Sequence, residues 1–439
     1  MTHGVKEGEW LADLAWELLR DRTFGRLWRV QDFQLYQQIL GLVEPWRVKG
    51  VTLRREAREV EVQVACVEQV WGCPECAQRM HLHEWEERRW RHLDSCQFKT
   101  IIVARVPRVG CPEHGTQTVA VPWAEKFGRF TRLLERLAID LMQECSVTAA
   151  CEILRISWDE ADGIKQRAVA RGLRRKQAQP VKRLGVDEKC AGRGQDYVTV
   201  VASLEPGRSA TVEYVGDGRK QEALDAYWQP MPNEHRAAVE AVAMDMWEPY
   251  FNSTMAHVPE AASKIVHDPY HLSRMLNEAV DKVRKGEHRR LQEEGDDRLA
   301  GTKYLWLYGW DNLPATQRER FDDLRGQQLK TGRAWALKEM FRDFWTCATM
   351  EEGKEYFGSW YGWAIRSRLE PIKKVARSFK VHRDNILTYF SHRITKAALE
   401  GLNNRIAGLV KKAFGYRNRE RLKTDILFHL GGLDLYPTQ

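Results

Sequence analysis

The chain has 439 residues, which at roughly 150 residues per domain leaves room for about three folded units. Hydrophobic residues make up 43 % and charged residues 30 %, an ordinary globular balance that argues against intrinsic disorder. No apolar run approaches the roughly 18 to 20 residues that span a bilayer, and residues 1–9 are polar rather than signal-like. A soluble, cytoplasmic protein with no membrane partner is expected.

Residues 8–42 are amphipathic and rich in Trp and Leu, so residues 1–45 read as an N-terminal helical segment whose apolar face packs on its own chain or on a second protomer. Nine cysteines, an odd number, do not suggest a disulfide framework. Metal binding suits them better. Cys73-Pro-Glu-Cys76 and Cys111-Pro-Glu-His114 are matching knuckles separated by 34 residues, and zinc takes four soft or borderline ligands in a tetrahedron. Alternating strand patterns over 59–67 and 100–109 flank them, so residues 46–125 read as a zinc ribbon binding Zn2+ through Cys73, Cys76, Cys111 and His114. His81 and His83 are the rival ligands. Cys66, Cys96, Cys145, Cys151, Cys190 and Cys347 lack partner spacing and read as packing residues.

Residues 126–180 carry a helix-turn-helix pattern. Residues 130–144 place Leu133, Leu134, Leu137 and Leu141 at helical spacing, Ser146 breaks the run, and a short helix extends to Leu154. After a turn at Arg155-Ile156-Ser157, the sequence Ser157-Trp158-Asp159-Glu160 is a capping box opening a helix to about Arg171. That helix is expected to present Lys165, Arg167 and Arg171 outward to duplex DNA, beside a basic linker with Arg174, Arg175 and Lys176.

Residues 181–290 alternate between strands and helices. Strands are expected over 181–186, 197–204 and 210–215, a helix over 221–228, a strand over 238–244, a helix from about 249, a strand over 263–266 and a helix over 270–290. This is the order of an RNase H-like mixed sheet, in which the first and fourth strands lie side by side. Asp187 and Asp245 follow those two strands, and paired carboxylates repel unless a divalent cation neutralises them. Mg2+, or Mn2+, is the natural partner, able to promote in-line phosphoryl transfer. The third acid is expected to be Glu400, on the polar face of a helix over 395–413. The 155 positions between Asp245 and Glu400 exceed what a minimal core needs, so residues 291–390 read as an all-helical insertion, followed by core helices over 391–439. The stretch 275–390 holds six of the 17 tryptophans; most are expected in its core, with Arg366, Arg368, Lys373, Lys374 and Arg377 available to DNA. The fold class is thus multidomain α+β and α/β.

Lys and Arg number 69 against 61 Asp and Glu, and the surplus is concentrated. Six basic residues fall in 171–183 without an acid. Seven fall in 401–424, among them Arg405, Lys411, Lys412 and Arg417, beside the single Glu420. Such stripes suit phosphate backbones.

The segments Gly185-Val186-Asp187-Glu188, Met244-Asp245-Met246, His267-Asp268-Pro269-Tyr270-His271 and Glu400-Gly401-Leu402-Asn403-Asn404-Arg405-Ile406, with 411–418 beyond them, resemble the DDE transposases of bacterial insertion sequences in the ISL3 family. The resemblance runs from about Val43 to Leu430. It implies that Asp187, Asp245 and Glu400 are a metal-binding catalytic triad, that the ribbon and helix-turn-helix bind terminal inverted repeats, and that the chain cleaves DNA and joins the freed end to target DNA. A homodimer or larger assembly on the nucleoid follows, because two element ends must be cut together. Two residues depart from the family pattern: His114 stands where a Cys is usual, and Tyr270 where a Phe is typical. The alternatives are an RNase H-like structure-selective nuclease, or a non-catalytic DNA-binding regulator.

Overall fold

The structure is a computed structural model that describes residues 32–68, 70–176, 180–190 and 196–438. Most of the helix expected over 8–42 lies outside these residues; within them Asp32–Ile39 is helical. The chain forms two compact units, Met1–Ala168 with Leu435–Gln439, and Val169–Asp434.

The first unit is built on strands β1 (Trp46–Arg54), β2 (Glu59–Cys66), β3 (Val70–Gly72), β4 (Arg79–Ser95), β5 (Phe98–Cys111) and β6 (Gly115–Thr118). Their order is β1-β2-β5-β4-β3, with β6 on β5. In β2 Val60, Val62 and Val64 are all buried on one face, and Glu61 between them is buried as well, paired with Arg54 and Arg89. Trp123 anchors that core, its ring meeting Trp46 and Trp90 edge-on at 4.9 and 5.3 Å.

Three helices follow, Arg132–Glu144, Val147–Leu154 and Trp158–Lys176. The oxygens of Thr131 and Ser146 cap the first two by accepting from the amides of Leu134 and Ala149. The capping box also forms: the Ser157 amide donates to Glu160 Oε2 at 2.8 Å and the Glu160 amide to Ser157 Oγ at 3.2 Å. The third helix does not stop near Arg171. It continues to Lys176, placing Arg174, Arg175 and Lys176 in its last turn, where cations favour the helix dipole.

In the second unit β7 (Arg183–Cys190), β8 (Tyr197–Ser203), β9 (Thr211–Asp217), β10 (Ala241–Met244) and β11 (Ile265–His267) form one sheet in the order β11-β10-β7-β8-β9. β7, β8 and β9 are antiparallel neighbours, whereas β10 and β11 run parallel to β7. The first and fourth strands are therefore adjacent, as expected. β7 does not end at Asp187; the ladder with β8 continues from Asp187↔Val200 to Cys190↔Tyr197. β10 begins at Ala241 rather than 238 because Asn233–Ala237 folds as a short helix.

Helices cover both faces of this sheet. Leu224, Trp228 and Tyr250 pack with Leu184, Val186, Val242 and Met244. On the other face Leu399, Leu402 and Ile406 of the helix Ala397–Lys412, with Leu422 and Ile426 of Arg419–Leu430, cover Val198, Val200 and Val212. The elements from Lys303–Leu307 to Tyr389–His392 are all helical, and Trp306, Trp335 and Trp360 lie in their core. Trp310 and Trp345 are partly buried against that core and Trp363 is exposed.

Two of the cysteines expected as packing residues are exposed. Cys96 is exposed at the turn joining β4 to β5, with φ at +50°, and Cys190 is exposed at the end of β7. No helix among the described residues is long and apolar enough to cross a membrane.

Candidate active site and metal centres

Two clusters of metal-ligating side chains stand out. In the first unit, the knuckle after β3 and the knuckle between β5 and β6 bring Cys73, Cys76, Cys111 and His114 together, with one donor atom of each within 4.8 Å of the others. Cys76 Sγ lies 3.8 Å from Cys111 Sγ, and His114 Nδ1 lies 3.4 and 4.0 Å from the sulfurs of Cys111 and Cys73. Zinc bonds of about 2.3 Å to sulfur and 2.0 Å to nitrogen imply tetrahedral edges of about 3.8 and 3.5 Å. The donor set and its spacing therefore fit Zn2+. The rivals His81 and His83 are exposed and outside the cluster. The hydrogen bond from His114 draws the Cys111 thiol down to about 6, towards the thiolate that binds metal.

The second cluster lies in the later half of β7 and just past the end of β10. The parallel register pairs Leu184 with Val242 and Gly185 with Ala243. Two residues further along each strand, Asp187 and Asp245 stand on the same side. Asp187, Glu188 and Asp245 each offer an oxygen within 4.8 Å of the others. Lys396, just before the helix Ala397–Lys412, donates from Nζ to Asp187 Oδ1 at 2.7 Å and to Asp245 Oδ1 at 2.8 Å. The other oxygens are held as well: Asn403 Nδ2 donates to Asp187 Oδ2 at 2.7 Å, and His271 Nδ1 lies 3.0 Å from Asp245 Oδ2.

Packing sets this approach. A Cβ on Gly185 would come within 2.8 Å of Leu204 and 3.2 Å of Leu399, so the bare backbone there lets the helix carrying Asn403 sit close to β7.

Burial opposes ionisation of Asp245, but His271 and the Lys396 ammonium outweigh it and hold the carboxyl well below the usual range. Burial of Lys396 likewise opposes its charge, and the two aspartates overcome it. Glu188 is shifted the other way, raised by burial and then by the Asp187 charge. Glu400 sits one helical turn after Lys396, its amide donating to the Lys396 carbonyl at 2.9 Å. Its carboxyl is raised by burial and by the charges of Asp268, Asp187 and Asp245. It is a neighbour of the cluster rather than one of its three converging oxygens. Asp268 caps the helix Pro269–Glu293 through the His271 amide and also accepts from the Lys396 amide at 3.2 Å.

Comparison with known proteins places these clusters in a family. The family model for the transposase DDE domain of ISL3 elements matches residues 184–426, more than half of the chain. A zinc-finger of transposase IS204/IS1001/IS1096/IS1165 matches 69–114, and the helix-turn-helix domain of transposase family ISL3 matches 119–169. The chain belongs to the ISL3 family of transposases. The transposase for insertion sequence element IS1001 of Bordetella parapertussis is 25 % identical over 369 residues, covering 83 % of this chain and 89 % of that protein. The transposase for insertion sequence element IS1557 of Mycobacterium tuberculosis is 28 % identical over 369 residues, covering 79 % and 82 %.

Within this transposase the expected DNA-binding residues divide sharply. Arg405, Lys411, Lys412 and Arg417 are exposed, as is Arg174. Lys165 and Arg171 do not point outward: they are only 2 % and 4 % exposed. The buried stripe of the helix Trp158–Lys176 runs through Ala161, Ile164, Lys165, Ala168, Arg171 and Gly172, the spacing of one helical face. Lys165 Nζ lies 5.9 Å from the Trp158 ring centre. Arg167 is turned inward onto buried Glu135, with Nε 3.0 Å from Oε1. Arg175 pairs with Asp434 at 2.7 Å and Lys176 with Glu213 at 2.8 Å.

Sequence reasoning missed Lys396, Asn403, His271 and Glu188 as members of the acidic cluster. His271, Asn403 and Glu188 lie inside motifs that carried the family resemblance, so position relative to Asp268, Glu400 and Asp187 was an available signal. Lys396 had none.

Proposed function

We propose that this transposase binds the terminal inverted repeats of its element through the zinc ribbon and helix-turn-helix, cleaves the ends by hydrolysis and joins the exposed 3′-hydroxyl to target DNA. Asp187, Asp245 and Glu400 are the catalytic acids. The observation that carries this reading is the pair of carboxylates from adjacent parallel strands, Asp187 and Asp245, aimed at a single shared position held by Lys396, with Glu400 one helical turn after that lysine in the chain.

The strand order β11-β10-β7-β8-β9, interrupted before its final helices by an all-helical insertion, supports an RNase H-like catalytic core. The hard oxygen donors of Asp187, Asp245 and Glu188 suit Mg2+ or Mn2+, and Glu400, which lies beside that cluster and senses its charges, is the third catalytic acid of this reading. Such a cation, when bound, supplies Lewis acidity for phosphoryl transfer. The protein's own residues fix the geometry: Asn403 and His271 each hold one carboxylate oxygen, and the sheet register fixes the distance between the strands. Exposed Arg405, Lys411, Lys412 and Arg417 form a basic run that would meet DNA phosphates. Cutting two ends in one complex calls for at least two copies of the chain.

Asp245→Ala and Glu400→Gln are each expected to abolish cleavage and joining on terminal-repeat DNA while specific binding of those ends persists. An undiminished reaction in either variant rejects the assignment of that acid. Cleavage of branched or random duplexes as readily as of element ends favours a structure-selective nuclease instead.

A further inference from the structure

Each of the two aspartates is held at one oxygen by a neighbouring side chain and at the other by Lys396. Asn403 fixes Asp187 Oδ2 and His271 faces Asp245 Oδ2, which turns the two Oδ1 atoms towards a common point. Lys396 Nζ is at that point, 2.7 and 2.8 Å from them. Its side chain is only 4 % exposed, and its backbone amide is tied to Asp268. This is a built position rather than a surface lysine settling on nearby acids.

A divalent cation of the Mg2+ class approaches carboxylate oxygens at about 2.0 to 2.1 Å. A cation coordinated by both Oδ1 atoms would then lie almost on top of the ammonium. Two cations at such separation repel strongly in a partly buried site, so the two occupancies exclude each other. Conversely, two carboxylates facing each other with neither cation present repel, which Lys396 prevents.

We propose that Lys396 is a positioning residue that stands in for the divalent cation between Asp187 and Asp245, holds their carboxylates in register, and must leave before the cation binds. This rests on the reading that Asp187 and Asp245 hold a divalent cation. Lys396 thus sets a threshold for metal loading: the site is preassembled at the cost of weaker apparent cation affinity, because binding is coupled to displacement of the ammonium.

The test is Mn2+ binding to the full-length, zinc-loaded chain, followed by the electron paramagnetic resonance of free Mn2+, together with melting in buffer without added Mn2+ or Mg2+. Lys396→Met is expected to bind Mn2+ roughly tenfold more tightly or better than the wild type, to melt at a lower temperature without added divalent cation, and to show a larger Mn2+-induced rise in melting temperature. Lys396→Gln keeps an amide donor without the charge and is expected to move in the same direction, so a poorly folding Met variant does not end the test. Lys396→Arg keeps the charge and is expected to retain weak, wild-type-like affinity. Asp245→Asn in each background identifies the binding that belongs to this site. If Lys396→Met and Lys396→Gln bind no more tightly than the wild type, and Asp245→Asn still removes that binding, the placeholder role is overturned while the metal centre stands. If no variant shows binding sensitive to Asp245→Asn, both readings fall.

Discussion

The His271 ring nitrogen Nδ1 lies 3.0 Å from Asp245 Oδ2, on the side of the carboxylate that Lys396 leaves untouched. His271 belongs to the first turn of the helix Pro269–Glu293, whose start is fixed by Asp268 as cap. A side chain so placed orients the Asp245 carboxylate, a catalytic acid in the proposed function, without replacing it. Outer partners of this kind are commonly worth about 10- to 100-fold in activity or metal affinity. His271→Ala is therefore expected to slow end cleavage by about that factor and to leave end binding unchanged. His271→Asn, which restores a donor at reduced reach, should recover part of the rate. Equal rates in all three proteins would show that the contact is idle.

The basic residues separate into two classes that salt dependence can distinguish. Arg405, Lys411, Lys412 and Arg417 are exposed, whereas Lys165 and Arg171 are buried on the inward stripe of their helix. Each phosphate contact contributes a slope of about −0.9 to the dependence of log affinity on log salt. Replacing the four exposed residues with Gln is expected to flatten that slope by about 3 to 4 on element-end DNA, with melting temperature nearly unchanged. Lys165→Met should do the reverse, shifting stability and leaving the slope. A flattened slope in Lys165→Met would restore it to the DNA surface.

What was readable in the sequence follows from how local each signal is. Cys73, Cys76, Cys111 and His114 could be read because a tetrahedral site requires two close ligand pairs, and that requirement is written in spacing. Asp187 and Asp245 could be read because each follows a short apolar run and the strand order makes those runs neighbours. Lys396 could not, since a lysine before a helix has no periodic signature and its partners lie 209 and 151 positions away. β4 was hidden for another reason: Arg79–Ser95 is dense in charge on both faces, and it is a strand because it pairs along β5 from Leu82↔Val109 to Ser95↔Phe98. Lys165 and Arg171 were misread because charge was taken as a sign of exposure, although at helical spacing they fall on the same buried face as Ala161 and Ala168.

Zinc is expected to be structural in the first unit. The four ligands sit in two knuckles whose outer strands are held only by short pairings: three residues between β3 and β4, and four between β5 and β6. The purified chain should carry one zinc equivalent. Cys76→Ser or His114→Ala should lose it, with a weakened hold on element-end DNA and early proteolysis within residues 70–118. The acidic cluster is in the other unit, so Mn2+ binding sensitive to Asp245→Asn should survive in these variants. A chain that retains full end binding after complete zinc removal would contradict a structural metal.

Acid should weaken the first unit through His92. This ring is 4 % exposed, and its Nδ1 lies 2.9 Å from Thr131 Oγ1, which also caps the helix Arg132–Glu144. Burial, aided by the charge of Arg91, pushes the imidazolium down to about 4 from the ordinary 6.5. Above pH 6.5 the ring is neutral whether the chain is folded or unfolded, and its contribution is complete. As the pH falls from 6.5 towards 4 the unfolded chain takes up the proton first, so stability drops; below 4 both states are protonated and the loss levels off. The full loss amounts to about 3 kcal/mol, since each pKa unit is worth about 1.4 kcal/mol. His92→Gln keeps a group able to bond Thr131 and has no proton to gain. Denaturant unfolding of wild type and His92→Gln at pH 7 and pH 4.5 should show a smaller loss in the variant, the zinc ligands titrating alike in both. Identical losses would mean that His92 is protonated within the fold at little cost.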